Sequence, residues 1–442
     1  MNIQLSEHFN YKKIIKFTLP SVIMMVFSSI YGVVDGLFVS NFVGKTSFAA
    51  VNFIMPFLMI LGTLGFMFGT GGSALVAKTL GEGEKDKANR IFSFLIYTSL
   101  VLGLIITVLG IVFMRPVASV LGAEGDMLDN CVIYGRIILL ALPAFILQME
   151  FQSFFVTAEK PQLGLGVTVL AGITNMVLDA LFVGLFRWGI VGAAAATAIS
   201  QVIGGILPLI YFIRKNNSLL KLTKTNFDGK ALLKTCTNGS SEFMSNISMS
   251  LVSMIYNAQL MRYAGEDGVA AYGVLMYINF VFLSIFIGYS IGTAPIIGYH
   301  YGAQNNNELK SILKKSFVII GISSVCMFIL AEILALPLSN IFVSYDKNLL
   351  ELTLRGFFIY SFSFLFAGVA IFGSGFFTAL NNGLVSAVIS FLRTLVFQVA
   401  AVLLLPLILE IDGIWISIVV AEFMTFLVTL IFIKTMRKKY GY

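Results

Sequence analysis

GKTSFAAVNFIM occupies residues 44–55, and GEDGVAAYGVLM occupies residues 265–276. Gly44, Ala49, Ala50 and Met55 of the first stretch line up with Gly265, Ala270, Ala271 and Met276 of the second. The offset is 221, half of the 442-residue length. Working outward, Gly71 and Gly81 face Gly292 and Gly302 at the same offset, and each of those stretches then turns polar and basic. Near the end of each half the register drifts, so that Gly189-Ile190 faces Gly413-Ile414 at an offset of 224. Small residues match often by chance in an apolar chain. These matches carry weight because the hydrophobic segmentation repeats in the same register. Self-similarity at one long period signals two copies of a single structural unit, and in membrane chains it frequently marks a transporter.

Hydrophobic residues make up 58% of the chain and charged ones 12%, against about 25% charged in an ordinary soluble domain. With 41 Phe and 18 Met and a mean hydropathy of +0.93, a soluble globule would have nowhere to hide this surface. Apolar runs of about 18 residues or more predict bilayer-spanning helices. Twelve are predicted: 14–40, 52–77, 91–113, 131–155, 163–186, 189–213, 240–262, 269–299, 312–335, 353–378, 384–408 and 413–433. The expected class is therefore all-α and polytopic, with six helices in each pseudo-symmetric lobe. The N-terminus is polar, and the first apolar run is too long for a secretory signal, so no cleavable signal is expected. Cys131, Cys236 and Cys326 are far apart, and His8 and His300 form no His-Glu-x-x-His pattern, so no metal site is expected.

The formal net charge of +7 would suggest nucleic acid in a soluble protein. Its distribution suggests a membrane instead. With a cytoplasmic N-terminus and alternating sides, the inner face carries Lys12, Lys13, Lys16, Lys78, Lys85, Lys87, Arg90, Lys160, Arg214, Lys215, Lys221, Lys224, Lys230 and Lys234. Lys310, Lys314, Lys315, Lys434, Arg437, Lys438 and Lys439 bring that face to twenty-one of the 29 basic residues. The outer loops hold Lys45, Arg115, Arg187, Arg262 and Lys347. The bias predicts that both termini face the cytoplasm, and the surplus reports contact with the lipid bilayer rather than a nucleic-acid partner.

Residues 1–213 form the expected first lobe, 214–238 a cytoplasmic connector with a short interfacial helix around Asp228 to Lys234, and 239–442 the second lobe. Six crossings per lobe give both lobes the same topology, related by an axis along the membrane normal. A cavity is expected between them. Pro20, Pro143, Pro208 and Pro295 lie inside spans and mark expected kinks.

Ionisable groups in lipid are costly, and each becomes a functional hypothesis. At about 1.5 Å rise per residue, Asp35 in span 1 and Asp179 in span 5 reach a similar depth from the outer side. Asn175 lies one turn below Asp179 on the same face, and Thr197 in span 6 matches their level. No basic residue is evident at that depth in spans 1, 5 and 6. At the 221 offset Asp35 faces Tyr256 and Asp179 faces Ala400, so the scaffold repeats and the acids do not. Two carboxyls sharing a low-dielectric pocket cannot both ionise cheaply, so such a site should hold a proton, or Na⁺, reversibly. Asn175 and Thr197 can hydrogen-bond either state. Tyr31, Phe38, Phe53, Met55 and Met176 are candidates for an adaptable wall around an organic cation. Glu150 and Glu242, near cytoplasmic span ends where a carboxylate can reach the interface, are further candidates for contact with that guest. Glu332 lies near an outer end, where solvent can reach it. Glu422 is deep, and Arg393 of the neighbouring span reaches the same depth, which predicts a buried structural pair.

Pro20 with Val34-Asp35-Gly36, Gly44-x4-Ala49-Ala50, Gly81-Glu82-Gly83, Asn175-x3-Asp179 and Tyr301-Gly302-Ala303 together resemble the multidrug and toxic compound extrusion (MATE) family. The resemblance covers essentially the whole chain. It implies cation-coupled export of amphipathic, mostly cationic compounds by alternating access, with no cofactor beyond H⁺ or Na⁺ as coupling ion. It also implies a first-lobe cation site on Asp35, Asn175, Asp179 and Thr197, in a bacterial plasma membrane protein acting as a monomer. The family's variant with an acid in span 10 is not matched, because 353–378 holds no Asp or Glu after Arg355. The pattern is nearer the bacterial branch that relies on the first lobe, which favours H⁺.

Three other classes fit less well. A flippase for lipid-linked oligosaccharide should line its cavity with Arg and Lys and often has fourteen spans. An intramembrane aspartyl protease should show Gly-x-Gly-Asp, where this chain has Val34-Asp35-Gly36 and Leu178-Asp179-Ala180. A channel should show a filter or a ring of repeated polar residues. An enzyme is therefore not expected.

Overall fold

The computed structural model describes residues 3–43, 45–344 and 346–442, so Gly44 of the repeat lies outside the described residues. Among them every regular element is helical: α1 (Tyr11–Phe42), α2 (Lys45–Gly81), α3 (Lys85–Leu121), α4 (Gly125–Thr157), α5 (Pro161–Leu185) and α6 (Gly189–Ile213) come first. Then follow α7 (Gly229–Gly302), α8 (Asn306–Val343), α9 (Lys347–Ser361), α10 (Phe364–Ala379), α11 (Gly383–Leu404) and α12 (Pro406–Tyr440). Helices suit a lipid environment because each closes its own backbone hydrogen bonds. The 74 residues of α7 would span about 110 Å as one straight helix, far more than a bilayer. The helix reverses at Gly265, where φ is 61° and ψ −151°, a conformation that glycine adopts without steric cost. It therefore crosses twice. Helices α9 and α10 meet at a 52° bend and form one crossing. Twelve crossings result, six in each half.

The repeat is written into the backbone as well as the side chains. Positive-φ residues follow corresponding helices at Gly83 (φ 84°) and Gln304 (φ 55°), at Glu159 (58°) and Asn381 (57°), and at Arg187 (55°) and Glu410 (52°), the last as a kink within α12. Their offsets of 221, 222 and 223 follow the same drift as the sequence. Each such residue turns the chain out of a helix at the same place in its lobe.

The lobes meet through backbone. A methyl group at Gly81 would lie 2.0 Å from the Tyr299 carbonyl oxygen, and one at Gly302 would lie 2.0 Å from the Lys78 carbonyl oxygen. Adding 221 to 81 and 78 gives 302 and 299, so the two contacts are the same contact exchanged between lobes. Gly71 against Gly239, and Gly292 against Thr18, form a second exchanged pair. This reciprocity is the signature of a two-fold axis. These contacts lie toward the face that carries the basic loops. On that face Phe9, Phe17 and Met25 share a core with Ile296, Phe372 and Phe376. Beyond it each lobe keeps a core of its own: Ile54, Leu58, Tyr134 and Val183 in the first, and Tyr256, Leu275, Phe357 and Trp415 in the second.

The N-terminal tail is a strap across this basic face. The Leu5 N–H donates to Glu159 Oε1 of the first lobe at 2.6 Å. The Phe9 N–H donates to Glu308 Oε1 of α8 at 2.8 Å, and Lys315 Nζ donates to the Phe9 carbonyl at 2.5 Å. Leu5 and Phe9 are fully buried.

One local expectation changes, and the prolines lie inside continuous helices. Residues 228–234 do not form a separate helix, because Asp228 accepts from the Ala231 N–H at 3.0 Å and caps the start of α7 itself. Helices α1, α4, α6 and α7 run on through Pro20, Pro143, Pro208 and Pro295. The irregular turns lie elsewhere, as π-helical turns at Ala180–Leu185 and Leu392–Val396.

Gly81→Ala and Gly302→Ala should each destabilise the protein by about 1–3 kcal/mol through forced separation of the backbones. Thermal melting of the purified protein checks this, and two very unequal effects would contradict the exchanged contact.

Candidate functional site

Asp35 projects from α1, Asn175 and Asp179 from one face of α5, and Thr197 from α6. The spacing of four residues puts Asn175 and Asp179 on that common face. Asp179 is 0% exposed and Asn175 1%. The Asp35 carboxyl lies beside both Asp179 and Asn175. Asp35 Oδ1, both Asp179 oxygens, both Asn175 amide atoms and Thr197 Oγ1 are buried without a hydrogen-bond partner among the described residues. Unmet polar atoms are rare in protein interiors and call for an explanation. Here oxygens of Asp35, Asp179 and Asn175 from two helices converge, and neither acid makes an ion pair among the described residues. Two adjacent carboxyls away from water have a strong electrostatic reason to share a positive charge between them. A proton meets that need, and so does a hard monovalent cation, which prefers oxygen ligands.

Asp179 is also the last residue before the π-helical turn Ala180–Leu185. Such turns recur at functional positions, because the widened turn breaks the regular backbone ladder. Tyr134 of α4 completes the pocket. Its ring is buried, and its hydroxyl lies close to Thr197, Asp35 and Asp179 and 3.9 Å from Met55 Sδ. Sequence analysis missed Tyr134, which stands two residues before Arg136 in an otherwise apolar run with no motif to single it out.

The remaining candidates fall in different places. Tyr31 lies between Asp35 and Gln148. Phe53 and Met55 pack on the first-lobe core, and Met176 is half-buried on α5 next to Asn175. Phe38 stacks on Phe42, with ring centroids 5.9 Å apart, at the far end of α1.

Glu150 does not reach an interface. It is 0% exposed, enclosed within the first lobe beside Ser99 of α3 and Gly69 of α2, and both of its oxygens lack a partner. Counting residues from the helix end misplaced it, because α4 continues to Thr157 and neighbouring helices cover that depth. Glu242 is half-buried and faces Arg393 inside the second lobe rather than the interface. The Glu332 carboxylate, half-buried, accepts a hydrogen bond from the Ser361 hydroxyl. Arg393 and Glu422 do form the expected pair. Nε lies 2.9 Å from both carboxylate oxygens, and a guanidinium Nη lies 2.8 Å from one.

The MatE family model matches residues 20–181 and 243–404, one copy in each half. The chain is 32% identical to the multidrug export protein MepA of Staphylococcus haemolyticus over 321 residues, 72% of this chain and 70% of that one. It is 25% identical to the MepA protein of Staphylococcus aureus strain MRSA252 over 434 residues, 97% and 94% of the two chains. A MATE protein crystallised in complex with MaL6 superposes with a TM-score of 0.93 at 22% identity, covering 98% of each chain. A multidrug resistance MATE family transporter in an outward-facing conformation gives 0.91 at 22% identity, covering 98% of this chain and 97% of that one. At these identities the structural likeness concerns the fold.

Arg393→Met should cost about 3–5 kcal/mol by leaving Glu422 buried alone, and adding Glu422→Leu should return most of that loss. Thermal melting separates the cases, and equal melting of single and double variants would contradict a structural pair.

Proposed function

The chain belongs to the MatE family, and we propose that it is a multidrug efflux transporter that exchanges protons for amphipathic organic cations. One observation carries this proposal: the first-lobe pair of buried Asp179 and half-buried Asp35, set among unpartnered oxygens with no basic neighbour among the described residues. A pocket of that kind holds a cation, and filling it with a proton changes both its charge and its hydrogen bonds. Drug and proton then compete for one lobe. The half-buried side chains near the pocket, Tyr31, Met55 and Met176, offer the drug an aromatic and polarizable wall, with Phe53 beyond them.

Proton is favoured over Na⁺ as the coupling ion because two touching carboxyls can share one proton without a rigid coordination shell. The second lobe supports a single coupling site, since Glu422 is held by Arg393 and Glu242 faces the same guanidinium. One proton moving down a gradient of one pH unit releases about 1.4 kcal/mol, enough for a roughly tenfold drug gradient at one-to-one exchange.

Placed in a bacterial plasma membrane, the basic face is cytoplasmic by the positive-inside rule. Both termini then lie inside, and the closed seam shuts the cytoplasmic side while the separate cores leave the outer side to open. Both lobes belong to one chain, so a monomer can complete this cycle.

Dye efflux from proteoliposomes tests the proposal under separate pH and Na⁺ gradients. A pH gradient should drive efflux, and Asp35→Asn or Asp179→Asn should abolish it at normal expression. Full activity in Asp179→Asn would sink the site, and dependence on Na⁺ alone would sink proton coupling.

A further inference from the structure

A second polar feature lies in the first lobe, between the acid pair and the basic face. On α5, Asp179, Asn175, Gly172 and Thr168 share one face, so it descends about 16 Å from Asp179 to Thr168. Tyr31 of α1 crosses this face at Gly172, where an added methyl would come 2.9 Å from its ring. The Tyr31 hydroxyl lies close to Asp35 and to Gln148 of α4. Gln152 is one turn further along α4. Gln148, Gln152 and Thr168 line a cavity with about 10 Å³ of room for a water centre, the size of a single water site. Gln148 Oε1, Gln152 Oε1 and, on α6, Gln201 Oε1 are all buried without a protein partner among the described residues. Leaving such an atom unmet costs about 1–3 kcal/mol, and this cavity has room for one water beside the two glutamine side chains.

The lower end of the cavity is closed by rings. Phe151 and Phe155 line it and pack on Phe212, with centroids 5.4 and 5.2 Å apart. Phe212 in turn packs on Phe92 and Tyr211.

We propose that Tyr31, Gln148, Gln152 and Thr168 form a hydrated column through which a proton passes between the Asp35–Asp179 pocket and the basic side of the membrane. This rests on the proton coupling proposed above. The proton leaves a carboxyl oxygen for the Tyr31 hydroxyl, which gives up its own proton in turn to the one water the cavity can hold, and that water passes a proton on toward the basic side. Gln148 and Gln152 are positioning residues: their amides hold the water and do not titrate. The rings at the lower end keep the column shut while the lobes are closed together, which prevents a leak uncoupled from the drug.

The test compares two transport modes in proteoliposomes: efflux driven by a pH gradient, and drug-for-drug exchange without one. Gln152→Leu should slow pH-driven efflux about tenfold, equivalent to one barrier raised by about 1.4 kcal/mol, and leave exchange intact. Gln152→Glu, which keeps an oxygen in the cavity, should recover the pH-driven rate. A wild type that responds to pH, with Gln152→Leu matching its rate, would overturn the column alone. Equal losses of efflux and exchange in Gln152→Leu would also overturn it, by assigning Gln152 to packing. A wild type indifferent to pH would remove the coupling and the column together.

Discussion

A carboxyl group withdrawn from water must find a positive charge, whether a guanidinium, a metal ion or a proton. The two lobes answer this constraint in opposite ways. In the second, Glu422 is gripped by Arg393, and both side chains are committed to each other. In the first, Asp35 and Asp179 stand side by side with no such partner among the described residues. The position that Asp35 occupies is taken in the second lobe by Tyr256, whose hydroxyl lies 2.7 Å from Ser417. The same place in the scaffold thus holds a neutral, satisfied pair in one lobe and an unsatisfied acid in the other. Duplication supplied the frame, and divergence confined the exchangeable charge to one side of it.

Beside the shared side-chain core on the basic face, that frame meets at points with almost no side chain between the helices. Where Gly81 meets Tyr299 and Gly302 meets Lys78, helices touch at backbone distance around the two-fold axis. Contacts of this kind lack the interlocking side chains that fix a packed core in one arrangement. A seam made from them can hold one state firmly and still release it as a unit. The cores beyond the seam belong to single lobes, so each lobe can move as a body.

The architecture was legible in the sequence because lipid imposes a simple rule: long apolar runs, with charge sorted by side. The twelve crossings, the two-lobe repeat and the Arg393–Glu422 pair could all be read from segment length, offset and depth. Depth counting also put Asp35, Asp179 and Thr197 at one level, with Asn175 one turn below. It failed for Glu150, because position along one helix says nothing about which neighbours cover it. Tyr134, Gln148 and Gln152 were invisible for a related reason. A hydroxyl or amide in an apolar helix costs little enough to occur anywhere, and only packing shows that several of them face one pocket. The π-helical turns after Asp179 and around Arg393 share no residue signature, since the first contains Gly184 and the second neither glycine nor proline.

The strap at the N-terminus gives the molecule a history as well as a shape. The seat of Phe9 on Glu308 lies 299 residues further along the chain. A ribosome adding about 5–20 residues per second therefore needs tens of seconds between making the strap and making its anchor. Through that interval the first lobe is already in the membrane, while Leu5 and Phe9 have no second lobe to bury against. The strap is thus made early and settles late, and its docking reports that the chain has been extended at least through the start of α8.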